Sequence, residues 1–412
     1  MLSSRQAQEG SKLSKKIQRS TIFMMDLWAT VPYYTAYLSR ALLASGADVR
    51  IGSISYYLDP ACFSSRGLTL DPGLLDIVGR HQLPQTPRRI LKLVEALLNM
   101  SALLVRFLLS PPGIIHVQYL PMLRWKLPLD TWFLAICRRR GSRIVLTVHD
   151  LLPHDTADLH RQTFRRLYHA VDAIICHSDH VKTRLETEFD IPPGKISVIP
   201  HGPFFYDLPA TDSIDTRHRL GLDPGHLLVL WQGIIFPYKG IDLLLQAWQS
   251  VEAQVPEAYL VIAGTGAPEL LHQLREQVCD LGLQRVKLDL RFLSAEDLVA
   301  TYRAADVVVY PYRAITTSGA LATGLALGKT IVASDLPVFR ELLHNGDNAL
   351  LIDPANSLDL AGALVELAIS PALRQKLAQS VAVMNFGNES WSLIAVKTRR
   401  TYSDNLLHIP ML

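Results

Sequence analysis

Residues 310–334 read YPYRAITTSGALATGLALGKTIVAS. An apolar strand ends in Tyr-Pro-Tyr-Arg and a hydroxyl-rich turn follows. A short uncharged helix then stops at Gly328 before a second apolar strand. Buried strands alternating with a covering helix are the pattern of a parallel sheet. A helix leaves its first amide N–H groups unpaired, and its dipole places about half a positive charge there. The hydroxyls of Thr316, Thr317 and Ser318 either cap those amides or point outward, and Gly319 allows close approach to the backbone. The turn lies at the carboxyl end of its strand, where open α/β sheets bind ligands. The stretch therefore reads either as an ordinary capped helix or as a seat for a diphosphate.

The same alternation runs through the chain. Strand candidates in the first half are TIFMMD, ADVRIGSI, GIIHVQY, RIVLTVHD, AIICHS and KISVIPHG. The second half starts afresh with LLVLWQG and continues through AYLVIAGTG, VKLDLRFL, VVVYPY, TIVASD and NALLIDP. With 412 residues, two cores are expected rather than one. The expected organisation is a disordered leader over 1–20, a Rossmann-like domain over 21–203 and a Pro/Gly/Asp-rich linker over 204–226. A second Rossmann-like domain over 227–385 and a closing helical segment over 386–412 complete it. A ligand cleft is expected between the carboxyl ends of the two sets of strands.

Composition narrows the classes. Apolar residues make up 49% and charged ones 19%, which suits a packed α/β protein and excludes a disordered one. Four scattered cysteines form no CxxC pair, so no disulfide framework or zinc site is expected, and a cytoplasmic setting is. Residues 1–200 hold 25 Lys+Arg against 16 Asp+Glu, and the remainder 16 against 22. The basic first half points to an anionic neighbour. Within it, residues 88–110 read either as a half-buried domain helix or as an in-plane membrane-docking helix flanked by Arg88, Arg89 and Lys92. The basic residues lack the interleaved aromatics of a nucleic-acid surface.

Two further turns bear on the phosphate question. WQGIIFPYKGIDLLLQAW (231–248) ends a strand at Gly233 and presents Lys239-Gly240 as a helix opens. There the lysine either meets a phosphate or is a solvated surface residue. VIAGTGAPEL sets Gly264 and Gly266 between strand and helix without a full dinucleotide fingerprint.

Their order resembles the second domain of retaining glycosyltransferases of family 4, which have the GT-B fold. GxxxPxKGxxxLL is followed by AGxG, RFLSAEDLVATYRAADVVVYPY, the small-residue helix and GKTIVASDLPVFRELL. HSDHVKTRLETEFDIPPGKISVIPHG (177–202) is similar to the family's interdomain segment. ESWSLIAVKTRRTYSDNL (389–406) is similar to its closing helix, which crosses back to the first domain. The resemblance implies transfer of a hexose, with retention, from a UDP- or GDP-sugar to a glycan or lipid-linked acceptor. That chemistry belongs to polysaccharide or envelope biosynthesis. The basic first half and the 88–110 helix point to a lipid-linked acceptor at the inner face of a membrane. With no DxD-type acidic pair at a strand end, no required metal is expected. The resemblance implies that Lys239 holds the donor diphosphate, beside the Gly233 and Gly264 turns, and that the amides of Thr317, Ser318 and Gly319 cradle its distal phosphate. Phe292 and Leu293 lie beside the base, and His149 meets the donor sugar unless it is only a strand-end packing residue. His154, His177 and His180 are read as surface or packing residues, and His201-Gly202 stands where the family has Asn-Gly. Trp28 and Tyr33, in DLWATVPYYTAYL, replace the family's glycine-rich loop and mark either an acceptor surface or packing beneath the sheet.

The chain departs from the pattern at three places. The two family glutamates are Ile315 and Thr323 here, so Thr323 falls at the ribose position, and the arginine before the lysine is Ile234. Arg313 is a candidate for the missing positive charge. These departures keep two alternatives open: a non-catalytic glycosyltransferase-like subunit, and a sugar-nucleotide epimerase of the same fold.

Overall fold

Six short apolar runs in each half become six strands. The computed structural model describes residues 21–78, 85–125, 128–153, 157–209, 213–223, 225–384, 386 and 390–404. The expected leader and His154 lie outside those residues. The chain divides into two units: residues up to Pro200 together with Trp391 onward, and His201–Ser390.

In the first unit β1 (Ile22–Asp26), β2 (Val49–Ser53), β3 (Ile114–Tyr119), β4 (Arg143–Thr147), β5 (Ala173–Cys176) and β6 (Ile196–Val198) form a parallel sheet in the order β2-β1-β3-β4-β5-β6. In the second, β7 (Leu227–Gln232), β8 (Ala258–Ala263), β9 (Val286–Asp289), β10 (Val307–Tyr310), β11 (Thr330–Ser334) and β12 (Leu350–Ile352) run β12-β11-β10-β7-β8-β9. Counted within its own unit, the second order is 6-5-4-1-2-3, the doubly wound arrangement whose switch point falls between its first and fourth strands. Those strands are β7 and β10, which pair directly, Val307 opposite Val229. The motifs of residues 233–240 and 311–319 therefore leave adjacent strands at the switch point.

Several helices matter below: α1 (Pro32–Ala44), α2 (Gln85–Leu109), α3 (Leu129–Arg139), α4 (Ile241–Gln254), α5 (Gly319–Ala326) and α6 (Ser390–Asp404). Met25, Val117 and Ile144 of the first sheet meet Ala96 and Leu103 of α2 and Phe133 of α3 in one core cluster. In the second unit Val229, Leu260 and Val309 face Leu244 and Trp248 of α4. Leu230, Val308 and Ile331, on the opposite sheet face, pack on Leu321 and Leu325 of α5. Both faces of each sheet are thus covered, as the unbroken apolar runs require.

The closing helix α6 belongs to the first unit. Trp391 stacks on Tyr37 at 5.5 Å, and Tyr402 bonds His116 Nδ1 at 2.7 Å deep in the sheet. Residues 204–226 differ from the linker expected of them, for their described part is packed into the second unit. Leu222 is buried, and Arg217, itself buried, donates to the carbonyls of His226 and Ala304 and to Asp306 Oδ2 at 2.7–2.8 Å. A polar composition hid this small helix because its anchor is a guanidinium satisfying strand-end acceptors rather than an apolar stripe.

Candidate active site

The turns after β7 and β8 are shaped by three glycines, Gly233 and Gly240 after β7 and Gly264 after β8, that no other residue replaces without movement. Gly233 has φ +153°, and a Cβ there would lie 2.8 Å from Lys239 Nζ. At Gly240 (φ +66°) it would meet the carbonyl oxygen of Pro311 at 1.9 Å, and at Gly264 (φ +149°) that of Gly233 at 1.9 Å. The ends of β7, β8 and β10 are thus drawn together backbone against backbone, which needs the missing side chains. The Arg313 amide seals the knot by donating to Tyr238 O at 2.7 Å.

Lys239 lies in this knot. Its ammonium sits 5.8 Å from the Trp231 ring centroid and 5.7 Å from that of Tyr312, and it makes no hydrogen bond or ion pair to the described residues. Burial pushes it down to about 8. Two aromatic faces compensate part of that cost. An ammonium half-withdrawn from water, near a ring of glycines and without a carboxylate partner, is a built positive centre.

Tyr312 links the lysine to the hydroxyl-rich turn. Its buried hydroxyl lies beside Ser318 without closing a hydrogen bond. Ser318 is the N-cap of α5, its Oγ accepting from the Leu321 amide at 3.1 Å. The amides of Thr317, Ser318, Gly319 and Ala320 make no hydrogen bond to other described residues. The first turn of α5 is fixed from below, where the hydroxyls of Tyr310 and Tyr302 donate to Ala320 O at 2.8 and 3.3 Å. The sequence does not single out Trp231, Tyr310 and Tyr312, at strand ends, or Tyr302, on the helix Ala295–Ala304, because buried aromatics there read as core.

Other expected site residues take different positions. Arg313 forms a bidentate pair with Asp242, at 2.8 and 2.7 Å, and bonds Pro237 O at 3.0 Å, so its charge is neutralised rather than offered to the turn. Thr323 is buried and faces inward. Its Oγ1 donates to Gly319 O at 2.8 Å and accepts from the Phe204 amide at 3.3 Å. Gly319 is open on one side only, since a Cβ there would meet Phe204 Cε2 at 2.8 Å and His201 Cε1 at 3.3 Å. Leu293 is buried in the second unit's core, and Phe292 beside it is half-buried. Ile315 packs on the same core, while Ile234 is exposed.

The first unit holds a second polar cluster at its strand ends. His149 Nε2 meets Gln118 Oε1 at 3.0 Å, and its Nδ1 meets His177 Nε2 at 3.4 Å. His177 Nδ1 lies 2.9 Å from Ile199 O and must donate to it. Burial pulls His177 down to about 4, so it stays neutral, and its bare Nε2 accepts a hydrogen bond from His149 Nδ1–H. Tyr34 of α1 packs edge-on against His149 at 4.7 Å. His177, expected to be bland, thus sets the ring of His149. The preceding turn is tied by Asp26, which accepts from the amides of Thr30 and Val31 at 2.8 and 3.0 Å. Trp28 is partly buried on the first core, and Tyr33 donates to Asp59 at 2.9 Å beneath the Arg66 guanidinium.

The fold is thus two doubly wound units, with Lys239 and the first amides of α5 on adjacent strand ends of the second. Comparison with known families fits it. Residues 31–202 match the model described as Glycosyltransferase Family 4, and residues 226–369 match Glycosyl transferases group 1. The chain belongs to the family 4-like glycosyltransferases of the GT-B fold. It is 28% identical over 225 residues to a D-inositol 3-phosphate glycosyltransferase of Rhodococcus erythropolis, covering 53% of this chain and 51% of that protein. The chain thus spans about half the length of that curated relative. Among solved structures, Anabaena Alr3699/HepE, crystallised with UDP and glucose, superposes with a TM-score of 0.71 at 17% identity, covering 92% of this chain and 99% of that one. The sucrose-phosphate synthase of Thermosynechococcus elongatus gives 0.71 at 20% identity, over 93% and 98%.

Proposed function

We propose that the protein transfers a hexose, with retention, from a UDP- or GDP-sugar to a glycan or lipid-linked acceptor. The observation that carries this reading is the unpaired Lys239 ammonium in its glycine knot, at the same switch point as the free amides of Thr317–Ala320. A diphosphate supplies what both lack: anionic oxygens for the ammonium and acceptors for the amides. The UDP complex of the HepE relative supports a nucleotide donor.

In the proposed step the bond between the anomeric carbon and the diphosphate oxygen breaks, and its electron pair leaves on the diphosphate. The acceptor oxygen bonds the same face of the sugar, and its proton passes to the departing phosphate oxygen. Lys239 and the α5 amides stabilise the developing charge, a term worth roughly 3–4 kcal/mol per donor group. His149, oriented by His177, is the proposed contact to the donor sugar. No step is assigned to Arg313 or Thr323, whose polar groups are already engaged, and a metal is not required by this scheme. Polysaccharide or envelope biosynthesis at the cytoplasmic face of a membrane is the setting that suits such an acceptor.

The test is a melting-temperature screen with UDP, GDP and their sugars, since a ligand that binds only the folded state raises the melting point. It is followed by an assay of nucleoside diphosphate release. Release only when a glycan or lipid-linked acceptor is added fits transfer. Conversion of donor without acceptor indicates epimerisation. A protein that binds no nucleotide is not a transferase of this kind.

A further inference from the structure

Helix α2 distributes its polarity in the reverse of a soluble surface helix. Among the described residues, every exposed position from 87 to 109 is uncharged. Leu91, Val94, Leu98, Val105 and Leu109, each 45–82% exposed, follow one another at three-, four- and seven-residue steps and so form one stripe. The polar groups are turned inward instead. Glu95 is buried and accepts from the amides of Ile77 and Val78 at 2.8 and 2.9 Å, and Asn99 exchanges two hydrogen bonds with Leu75. The opposite stripe, through Ala96, Met100, Leu103 and Phe107, fills the domain core. Both sides of the helix are therefore apolar, and only one is covered by the described chain.

The exposed charge carried by α3 is basic, and the nearby acids Asp71 and Asp76 lie beside Arg106 and Lys92 of α2. α3 packs beside α2, and its single acid, Asp130, is buried against the Met122 amide. Its Trp132 is 61% exposed, and Arg138, Arg139 and Arg140 are exposed at its end. The Arg140 guanidinium donates to Leu108 O at 2.7 Å, which fixes that basic cluster at the carboxyl end of α2. Arg88 and Lys92 border the other end. Arg106 and Arg138 are paired with Asp71 and Asp172, whereas Arg88, Arg139 and Arg140 have no carboxylate partner among the described residues. No carboxylate of α2 or α3 is exposed.

We propose that this face docks on an anionic lipid surface, with α2 lying in the plane of the interface. The Leu91–Leu109 stripe enters the boundary between headgroups and acyl chains, Trp132 sits at headgroup level, and the arginines without carboxylate partners meet lipid phosphates. No described helix is long and apolar enough to cross a membrane, so the contact is peripheral. A second copy of the chain is a poorer occupant, because a two-fold contact sets arginine against arginine. The inference deepens the membrane-side setting proposed above, yet vesicle binding is read without donor or acceptor, so either can fail alone.

The experiment is co-sedimentation of the whole protein with vesicles of phosphatidylglycerol and phosphatidylcholine, beside vesicles of phosphatidylcholine alone, at low and high salt. Two surface variants are compared: Leu98→Gln with Val105→Gln, and Arg139→Gln with Arg140→Gln. Circular dichroism and the UDP-induced melting shift report that each is folded. Binding is expected only with the anionic vesicles, weakening with salt. It should fall at least about tenfold in the apolar pair and severalfold in the arginine pair. Folded protein that ignores anionic vesicles overturns the proposal. So does binding that both variants retain, or light scattering that shows a dimer abolished by the apolar pair. An unchanged UDP shift alongside lost vesicle binding assigns the defect to docking and not to the donor site.

Discussion

Replacing Lys239 by Met separates a binding group from a structural one, because the two roles predict opposite signs. Burial lowers the ammonium from 10.5 to about 8. At about 1.4 kcal/mol per unit, and discounted because the side chain is only half-buried, holding the charge costs on the order of 2 kcal/mol. The Trp231 and Tyr312 rings return roughly 1 kcal/mol of that. Met keeps the length, makes its own contacts with both rings and carries no charge. The unliganded variant should therefore melt at the same temperature or a few degrees higher, about 2–4 °C per kcal/mol for a unit of this size. UDP affinity should instead drop about 10- to 150-fold, the worth of a hydrogen bond to a charged group at roughly 1.5–3 kcal/mol. The pH dependence has a definite sign. The unfolded lysine keeps its proton to about 10.5 and the folded one only to about 8, so wild-type stability rises with pH across that interval. Over the same interval UDP binding weakens as the ammonium is lost. Both slopes should vanish in the variant. Scanning calorimetry and isothermal titration from pH 6 to pH 10 measure both. A variant that melts lower while binding UDP as before, with the pH slope intact, refutes the reasoning.

Three other substitutions probe the frame. Gly240→Ala combines a left-handed φ of +66° with a Cβ 1.9 Å from Pro311 O, and should cost more than about 3 kcal/mol in urea unfolding. Glu95→Ala leaves the buried-side amides of Ile77 and Val78 without their acceptor, an expected loss of about 1–3 kcal/mol by the same measurement. Asp26 is held up to about 6 by burial against an ordinary 3.8, so its native form keeps a proton that the unfolded chain loses. Its contribution to stability thus falls as pH rises from about 4 to about 6. Asp26→Asn should flatten that slope, as read from unfolding midpoints at several pH values.

Most of the fold was legible because a parallel sheet writes itself as isolated apolar runs, and each run named from the sequence became a strand. The turn that carries Lys239 was legible too, since its flanking glycines mark a backbone that other residues rarely adopt. What escaped were pairings between residues far apart in the chain. Nothing near Arg313 in sequence announces Asp242 as its partner, and nothing near Gly319 announces the Phe204 ring. His177 looked like packing because a lone histidine after a strand has no periodic signature. Only the fold brings its Nε2 to His149. The 204–226 stretch misled for a related reason: Arg217 anchors it through carbonyls and Asp306, and polar anchors leave no hydrophobic period.

The central claim is that the Lys239 ammonium and the first amides of α5 together hold a diphosphate. A crystal structure of the protein grown with UDP tests it most directly. The account predicts phosphate oxygens within hydrogen-bonding distance of Lys239 Nζ and of amides among Thr317–Ala320. UDP bound elsewhere, with that lysine still facing only Trp231 and Tyr312, contradicts it.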